Sequence, residues 1–442
     1  MTPSRRGVLG GAGLVGLLAA TPATAADERD AAAFQVTLER YFSFGEKASG
    51  GAGDTGTGAW LEEDLSYLGY VCRRQPFDVP FFEVRQASLT CGEAHVMVTP
   101  QAVVTPTGPE GLTAPLRLAN GRNDLAGAIA VVELPYKRWA TLADPQAARP
   151  LADAVRRGAA GVVLVTTGPT GEAVALNVST HRAPVERPAA ILAPKDAAPF
   201  LAAAGEARSA TLKIDGRGGR RPAFNLIAHL DRKAAMTLVI STPRSGWFGC
   251  AAERGSGLAI WLWLARELAR ANHGVNVELL ATSGHEYEYL GGKHYLAEAA
   301  PRPAATKLWV HIGASAAARD WHELGPTLLP LPSADTQRVL TATPDVLDKT
   351  GSAFRGIPGL EATYEANNAM AGGELINVIN AGYRTAIGNY GAHRYFHTRR
   401  DDLRCVSGDL VLPVAAAFRT AIGDCLGEPS RQRSKSSRSG RK

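Results

Sequence analysis

The sequence predicts an α/β protein: a mixed, largely parallel sheet covered by helices, interrupted by a β-rich insert. Three observations carry this. From Pro222 onward, short branched apolar runs alternate with amphipathic helical stretches, the pattern of a parallel sheet covered on both faces. Residues 101–216 have a separate texture of strands, one short helix and tight glycine turns. The composition is that of a globular chain, 45% hydrophobic and 20% charged with 47 Gly and 27 Pro in 442 residues, so a sizeable core and roughly two to three domains are expected.

In chain order, residues 3–26 pair Arg5 and Arg6 with a short apolar run from Gly7 to Ala20 and a small-residue cleavage site before Asp27. That is an export signal of twin-arginine type. Fourteen apolar residues rich in glycine fall short of the ~20 that span a bilayer, so no stable membrane insertion is expected after cleavage. A helix is predicted from Ala32, with Phe34, Leu38, Tyr41 and Phe42 on one face. The glycine-rich stretch 50–58 reads as a break before a second helix near Trp60–Leu68, and residues 79–98 read as extended strands.

The insert contains a strand at 124–134, a helix through 152–157, a glycine turn into the buried strand 158–167, and another strand at 187–192. Gly158 and Gly161 suit the tight helix-to-strand turn. This order, and the phrase Gly-Ala-Ala-Gly-Val-Val above all, resembles the protease-associated domain of exported peptidases. Beyond it, strands are predicted at 224–230, 235–241, 275–282 and 307–312, with helices at 256–271 and 291–299. The domain boundaries that follow are 1–26 for the signal, 27–100 and 217–428 for the main α/β domain, 101–216 for the insert, and 429–442 for a basic tail.

The formal charge of +6 is a property of the ends. Arg5 and Arg6 supply two positive charges and the last fourteen residues six, leaving the body close to neutral. Nucleic-acid binding is not implied. The tail is Ser, Arg and Lys with almost nothing apolar, so it is expected to be disordered. Five cysteines, 72, 91, 250, 405 and 425, allow at most two disulfides. Cys72 with Cys91 and Cys405 with Cys425 are the sequence-local options, with Cys250 then free and inert; connectivity stays open.

In a parallel sheet the reactive groups belong in loops at the carboxyl ends of strands. Three segments stand there: 241–257 (Ser-Thr-Pro-Arg-Ser-Gly-Trp-Phe-Gly-Cys-Ala-Ala-Glu-Arg-Gly-Ser-Gly), 281–292 (Ala-Thr-Ser-Gly-His-Glu-Tyr-Glu-Tyr-Leu-Gly-Gly) and 391–403 (Gly-Ala-His-Arg-Tyr-Phe-His-Thr-Arg-Arg-Asp-Asp-Leu). Together with the architecture they resemble the exported zinc aminopeptidases of the aminopeptidase Y type, a family that also includes the glutaminyl cyclases. The family's ordered pattern is HxD, GAxDNxSG, EExGLxGS, a strand ending in Asp, and YHTxxD.

Carried over residue by residue, the resemblance puts Thr242 and Arg244 at the His and Asp of the first motif and Glu253 at the bridging Asp. His285 takes the catalytic Glu position, Glu286 the ligand Glu, Gly313 the last Asp and His397 the final His. One metal subsite thus keeps three ligands, Glu253, Glu286 and His397, enough for a single zinc ion with an open position. His285 is the candidate for proton transfer, with a structural role as the alternative. Asp401 is expected to orient His397. Arg244 adds a cation where a second metal would sit. His311 is a substitute for the lost Asp or a hydrogen-bonded strand residue, Glu374 a cleft group for a substrate amine or a solvated helix-start acid, and His393 and Tyr395 line the pocket. Two functions remain: an exported one-metal hydrolase acting on a peptide or amide, or a pseudopeptidase that binds a peptide or glycan outside the cell.

Overall fold

The computed structural model describes residues 25–427, apart from 122, 139, 181, 182 and 326. The basic tail and all but the last two residues of the export signal lie outside the described residues. Among the described residues, no helix is long and apolar enough to cross a membrane.

Four parallel strands form the middle of the sheet, in the spatial order Ala386–Gly391, Thr306–Ile312, Thr237–Pro243 and Asn276–Thr282. Thr237–Pro243 is buried along its whole length, which is why its sequence is a branched run and not an alternating one. From it the chain crosses through the helix Gly255–Arg270 to Asn276–Thr282 on one side. It then returns through Leu290–Glu298 to Thr306–Ile312 on the other side. That reversal opens a crevice at the carboxyl ends of the three strands. Antiparallel strands flank this core, Ser209–Leu230 on one edge and Arg338–Ala342 on the other.

Helices cover both faces, as the alternation predicts. Ala25–Ser43, Gly255–Arg270 and Gly408–Leu426 bury Phe34, Leu38, Tyr41, Trp261 and Phe418 against one face. Leu290–Glu298 and Leu375–Asn380 cover the other around Tyr295, Trp309, Leu375 and Val378.

Two expectations need correction. The stretch 50–58 is not a break, because the second helix spans Ala52–Tyr67 and begins inside it. Its glycines are there for contact: a Cβ at Gly53 would lie 2.0 Å from the Glu46 carbonyl oxygen, and one at Gly58 2.5 Å from the Phe224 ring. The helix therefore docks closer than any side chain allows. Second, neither sequence-local disulfide forms, and all five cysteines are unpaired.

One small core around Leu151 and Leu164 belongs to the insert alone, and a second around Phe200 and Leu212 is shared with Ala87, Leu89 and Val98 ahead of it. Its strands Leu112–Leu118, Ile129–Leu134, Gly161–Thr166 and Ala189–Leu192 run parallel to one another. No chain break marks a boundary at 216/217. Ser209–Leu230 runs through it, paired with Val71–Cys91 from Val71 opposite His229 to Thr90 opposite Thr211. This two-stranded arm makes the insert and the main sheet continuous.

Gly53→Ala is expected to destabilise the chain by about 1–3 kcal/mol, because the opposing atom is backbone and cannot rotate away. Gly205→Ala, where an added Cβ meets nothing within 4 Å, should be neutral or stabilising by up to about 1 kcal/mol. Urea midpoints of the two variants check the contrast; equal shifts would refute the close-docking account.

Candidate functional site

Three loops at the crevice meet as the sequence predicts. Glu253 precedes the helix Gly255–Arg270, and His397 comes from the loop after Ala386–Gly391. Both are buried, and His397 Nε2 lies 3.2 Å from Glu253 Oε1. The same carboxylate carries a second partner: Arg254 Nη2 stands 2.7 Å from Glu253 Oε1, with both side chains fully buried. Burial by itself would raise the Glu253 carboxyl, but the Arg254 guanidinium and then His397 outweigh it and hold it at about 2 against an ordinary 4.5.

Glu286 is not drawn into this pair. Ser49 donates its backbone N–H (2.8 Å) and its hydroxyl (2.6 Å) to Oε1, and the Ser245 hydroxyl donates to Oε2 at 2.8 Å. Burial raises this carboxyl above its ordinary value, and the Ser49 and Ser245 hydrogen bonds oppose that rise. Its oxygens are thus held by neutral donors and not by a cation. Among the described residues, the potential ligand atoms that do converge within 4.8 Å belong to His393, Asp401 and Cys405.

The remaining candidates also find their places. Arg244 does point inward, but its partner is an acid of the chain: Nε lies 2.9 Å from Asp54 Oδ1, and the other nitrogens donate to the Ala281 and Phe224 carbonyls. Thr242 donates its hydroxyl to the Ile312 carbonyl at 2.8 Å. Asp401 does not orient His397. It accepts the backbone N–H groups of Ala252 and Glu253 and so fixes Glu253, with His393 Nε2 3.4 Å away. His397 is oriented from the insert, since its Nδ1 shares a 2.9 Å hydrogen bond with the Ala175 carbonyl. Tyr395 is buried, its ring edge-on to Trp321.

His285 and Glu374 form a buried pair, with Nδ1 3.1 Å from Oε1, and Thr282 donates to the same oxygen at 2.8 Å. Glu374 is therefore not a solvated helix-start acid. Burial raises its carboxyl, while burial and then the nearby Arg254 push the His285 imidazole well below its ordinary range. His311 is buried on its strand with Nδ1 3.0 Å from Ser241 Oγ, and burial lowers it to about 4. Cys250 is buried, and burial first of all raises its thiol well above the usual value, in keeping with an inert residue.

Sequence reasoning missed several groups that shape the site: Ser49, Asp54, Ser245, Arg254 and the insert backbone at 175–178. Arg254 was the one with a signal, because it stands directly after Glu253, where the family pattern has Asn. The insert closes over the loops through four bonds. Ala175 and His397 bond in both directions at 2.9 Å, Val178 donates to the Glu286 carbonyl at 3.1 Å, and Trp247 donates to Asn177 at 2.8 Å. Backbone strain gathers here as well. Of the nine described non-glycine residues with positive φ, five lie in these loops, Phe248, Cys250, Glu288, Tyr289 and His397, and Ser315 follows the strand Thr306–Ile312.

The fold is that of known peptidases. It is shared with BSAP, a zinc aminopeptidase from Bacillus subtilis, at 16% identity and TM-score 0.69 over 89% of this chain and 94% of that one. An aminopeptidase from Aneurinibacillus sp. strain AM-1 is 17% identical with TM-score 0.63 over 90% and 95%. A peptidase M28 precursor from Shewanella amazonensis SB2B is 18% identical with TM-score 0.68 over 92% and 96%. At these identities the likeness establishes architecture. No family model matches the sequence, and no curated protein matches it.

Removing the cation from Glu253 strands a buried charge, so Arg254→Met is expected to cost about 3–5 kcal/mol at neutral pH. Adding Glu253→Gln should return most of that loss, and additive effects in this double-mutant cycle would refute the pairing. The pH dependence has a definite sign. With the folded carboxyl at about 2 and the ordinary value at 4.5, the unfolded chain binds more protons in between, so stability falls as pH drops through that window. In Glu253→Gln the fall should be shallower, as read from denaturant midpoints at pH 3 and pH 6.

Proposed function

We propose that this chain is an exported protein of the zinc aminopeptidase family in which the metal centre has been replaced by ion pairs internal to the chain. Its cleft serves to bind a peptide or amide ligand, without the two-zinc hydrolysis that the family resemblance implies. The observation that carries this reading is the Arg254 guanidinium 2.7 Å from Glu253 in a fully buried pair. A cation of the chain already stands against the carboxylate that would bridge two metals.

Zinc does not fit the side chains present. A catalytic zinc takes three protein ligands and keeps one position open. Here Glu253 and His397 are together, but Glu253 already faces Arg254, and both Glu286 oxygens already accept hydrogen bonds from Ser49 and Ser245. Thr242 is bonded to a carbonyl and Arg244 to Asp54. Gly313 offers no side chain, and a Cβ there would lie 2.2 Å from the Asn389 carbonyl oxygen. The strained loops support retained ligand binding over a decayed scaffold. Each such residue costs on the order of 1–3 kcal/mol and persists where the surroundings enforce it, which is typical of binding and catalytic loops.

The one-zinc hydrolase is the second reading. It is favoured by one observation: His397 Nε2 and both Glu253 oxygens are buried without hydrogen-bond partners. Metal analysis separates the two. The purified chain is expected to carry below ~0.1 zinc per molecule, and its melting temperature should be unmoved by a chelator. About one zinc per chain, lost in both Glu253→Gln and His397→Ala together with turnover of an aminoacyl nitroanilide, would establish the hydrolase instead. Zinc lost in Cys405→Ser alone would belong to the His393, Asp401 and Cys405 cluster.

A further inference from the structure

Beside the centre lies a cavity of about 430 Å³ whose walls are the direct sequence neighbours of the residues holding Glu286. Ala48 precedes Ser49, Trp247 and Phe248 follow Ser245, and Tyr287 follows Glu286. The opposite wall is aromatic, with Phe81 and Phe82 from the arm strand Val71–Cys91. Their rings lie across Gly216, Gly218 and Gly219 of the paired strand. An added Cβ at Gly218 would stand 3.0 Å from the Phe82 ring, and one at Gly219 would stand 3.3 Å from Phe81.

The walls are held before any ligand arrives. The Trp247 indole N–H donates to Asn177 Oδ1 at 2.8 Å, and the Tyr287 hydroxyl donates to the Pro80 carbonyl at 2.9 Å. Phe248 is kept at a φ of 61°. Such rigid apolar walls with a few placed polar groups are the usual make-up of a small-ligand site.

Three charged residues line the cavity: Glu46, Arg221 and Arg399. Arg399 is neutralised by Glu46 at 2.7 Å. Arg221 is not neutralised. Its Nε donates to the Ser49 carbonyl at 2.9 Å and its Nη2 to the Ala48 carbonyl at 3.3 Å, and among the described residues no carboxylate pairs with it. The side chain is stacked over Phe81, 5.5 Å from the ring centroid. A guanidinium has five N–H donors in a fixed fork suited to a carboxylate, and two of its nitrogens are anchored here by backbone. We propose that this cavity binds the carboxylate of an aromatic or bulky apolar amino acid, the side chain against Phe81, Trp247 and Tyr287, which share a face of the arm with Arg221, and the carboxylate on Arg221. The proposal deepens the ligand-binding reading above and is independent of metal content, so zinc analysis and the experiment below can fail separately.

Calorimetric titration with N-acetyl-L-phenylalanine, its carboxamide and N-acetyl-Ala-Ala-Phe tests it. The free acid is expected to bind at least about ten-fold tighter than the amide, as a charge-assisted contact requires. Arg221→Gln should bring the acid down to the level of the amide, and Arg221→Lys should keep part of the preference. Phe81→Ala should weaken acid and amide alike, and unchanged far-ultraviolet circular dichroism of each variant excludes misfolding. Tighter binding of the tripeptide identifies a peptide carboxyl terminus as the source, and equal binding a free acylated amino acid. Equal affinity of wild type for acid and amide, or no binding of either at millimolar concentration, would overturn the proposal.

Discussion

Charge neutralisation among buried acids is the constraint on which the rest of this structure depends. Glu253, Asp54, Glu286, Asp401 and Glu374 are all buried where three loops meet. Buried carboxylates persist only when a cation or several hydrogen bonds meet them. In the family that the motifs resemble, metal ions would answer that need. Here Arg254 answers it for Glu253 and Arg244 for Asp54, while the three hydrogen bonds from Ser49 and Ser245 answer it for Glu286. Glu253, Asp54 and Glu286 are therefore each met by partners internal to the chain.

The topology explains where the loops gather. Thr237–Pro243 lies between Asn276–Thr282 and Thr306–Ile312, and the chain reverses its direction of winding across it. The carboxyl ends of the three strands must then diverge, and the loops between them must surround a crevice. The hydrophobic layers on both faces supply the stability, so the crevice is free to hold strained backbone at Phe248, Cys250 and His397.

The insert is part of this centre. The segment from Ala175 to Val178 is bonded to His397, Trp247 and the Glu286 backbone, which closes the crevice from above. The arm formed by Val71–Cys91 and Ser209–Leu230 makes the connection stiff, because one pair of strands belongs to both halves. The aromatic cavity lies along that arm, and its lining residue Ala48 directly precedes Ser49 of the centre. A ligand held by Arg221 would thus bear on the residues that hold Glu286.

The periodicity of the sequence determined the parallel sheet, its covering helices and the three loops, because burial on both faces demands continuous branched runs and helix docking demands a 3.6-residue repeat. The resemblance of the loop motifs singled out Glu253, His285 and His397, whose loops the fold brings to the crevice at the carboxyl ends of strands. It did not determine which partner each acid takes. Arg254 is adjacent to Glu253 in sequence, yet Ser49 meets Glu286 across 237 residues and the Ala175 carbonyl meets His397 across 222. The same holds for Gly53 and Gly58, which read as a break and proved to be a docking surface, and for Glu374, which read as solvated and proved to be buried. Hydrogen bonds and ion pairs act over about 3 Å whatever the separation along the chain, so only the folded arrangement decided which partner each buried acid of this pocket meets.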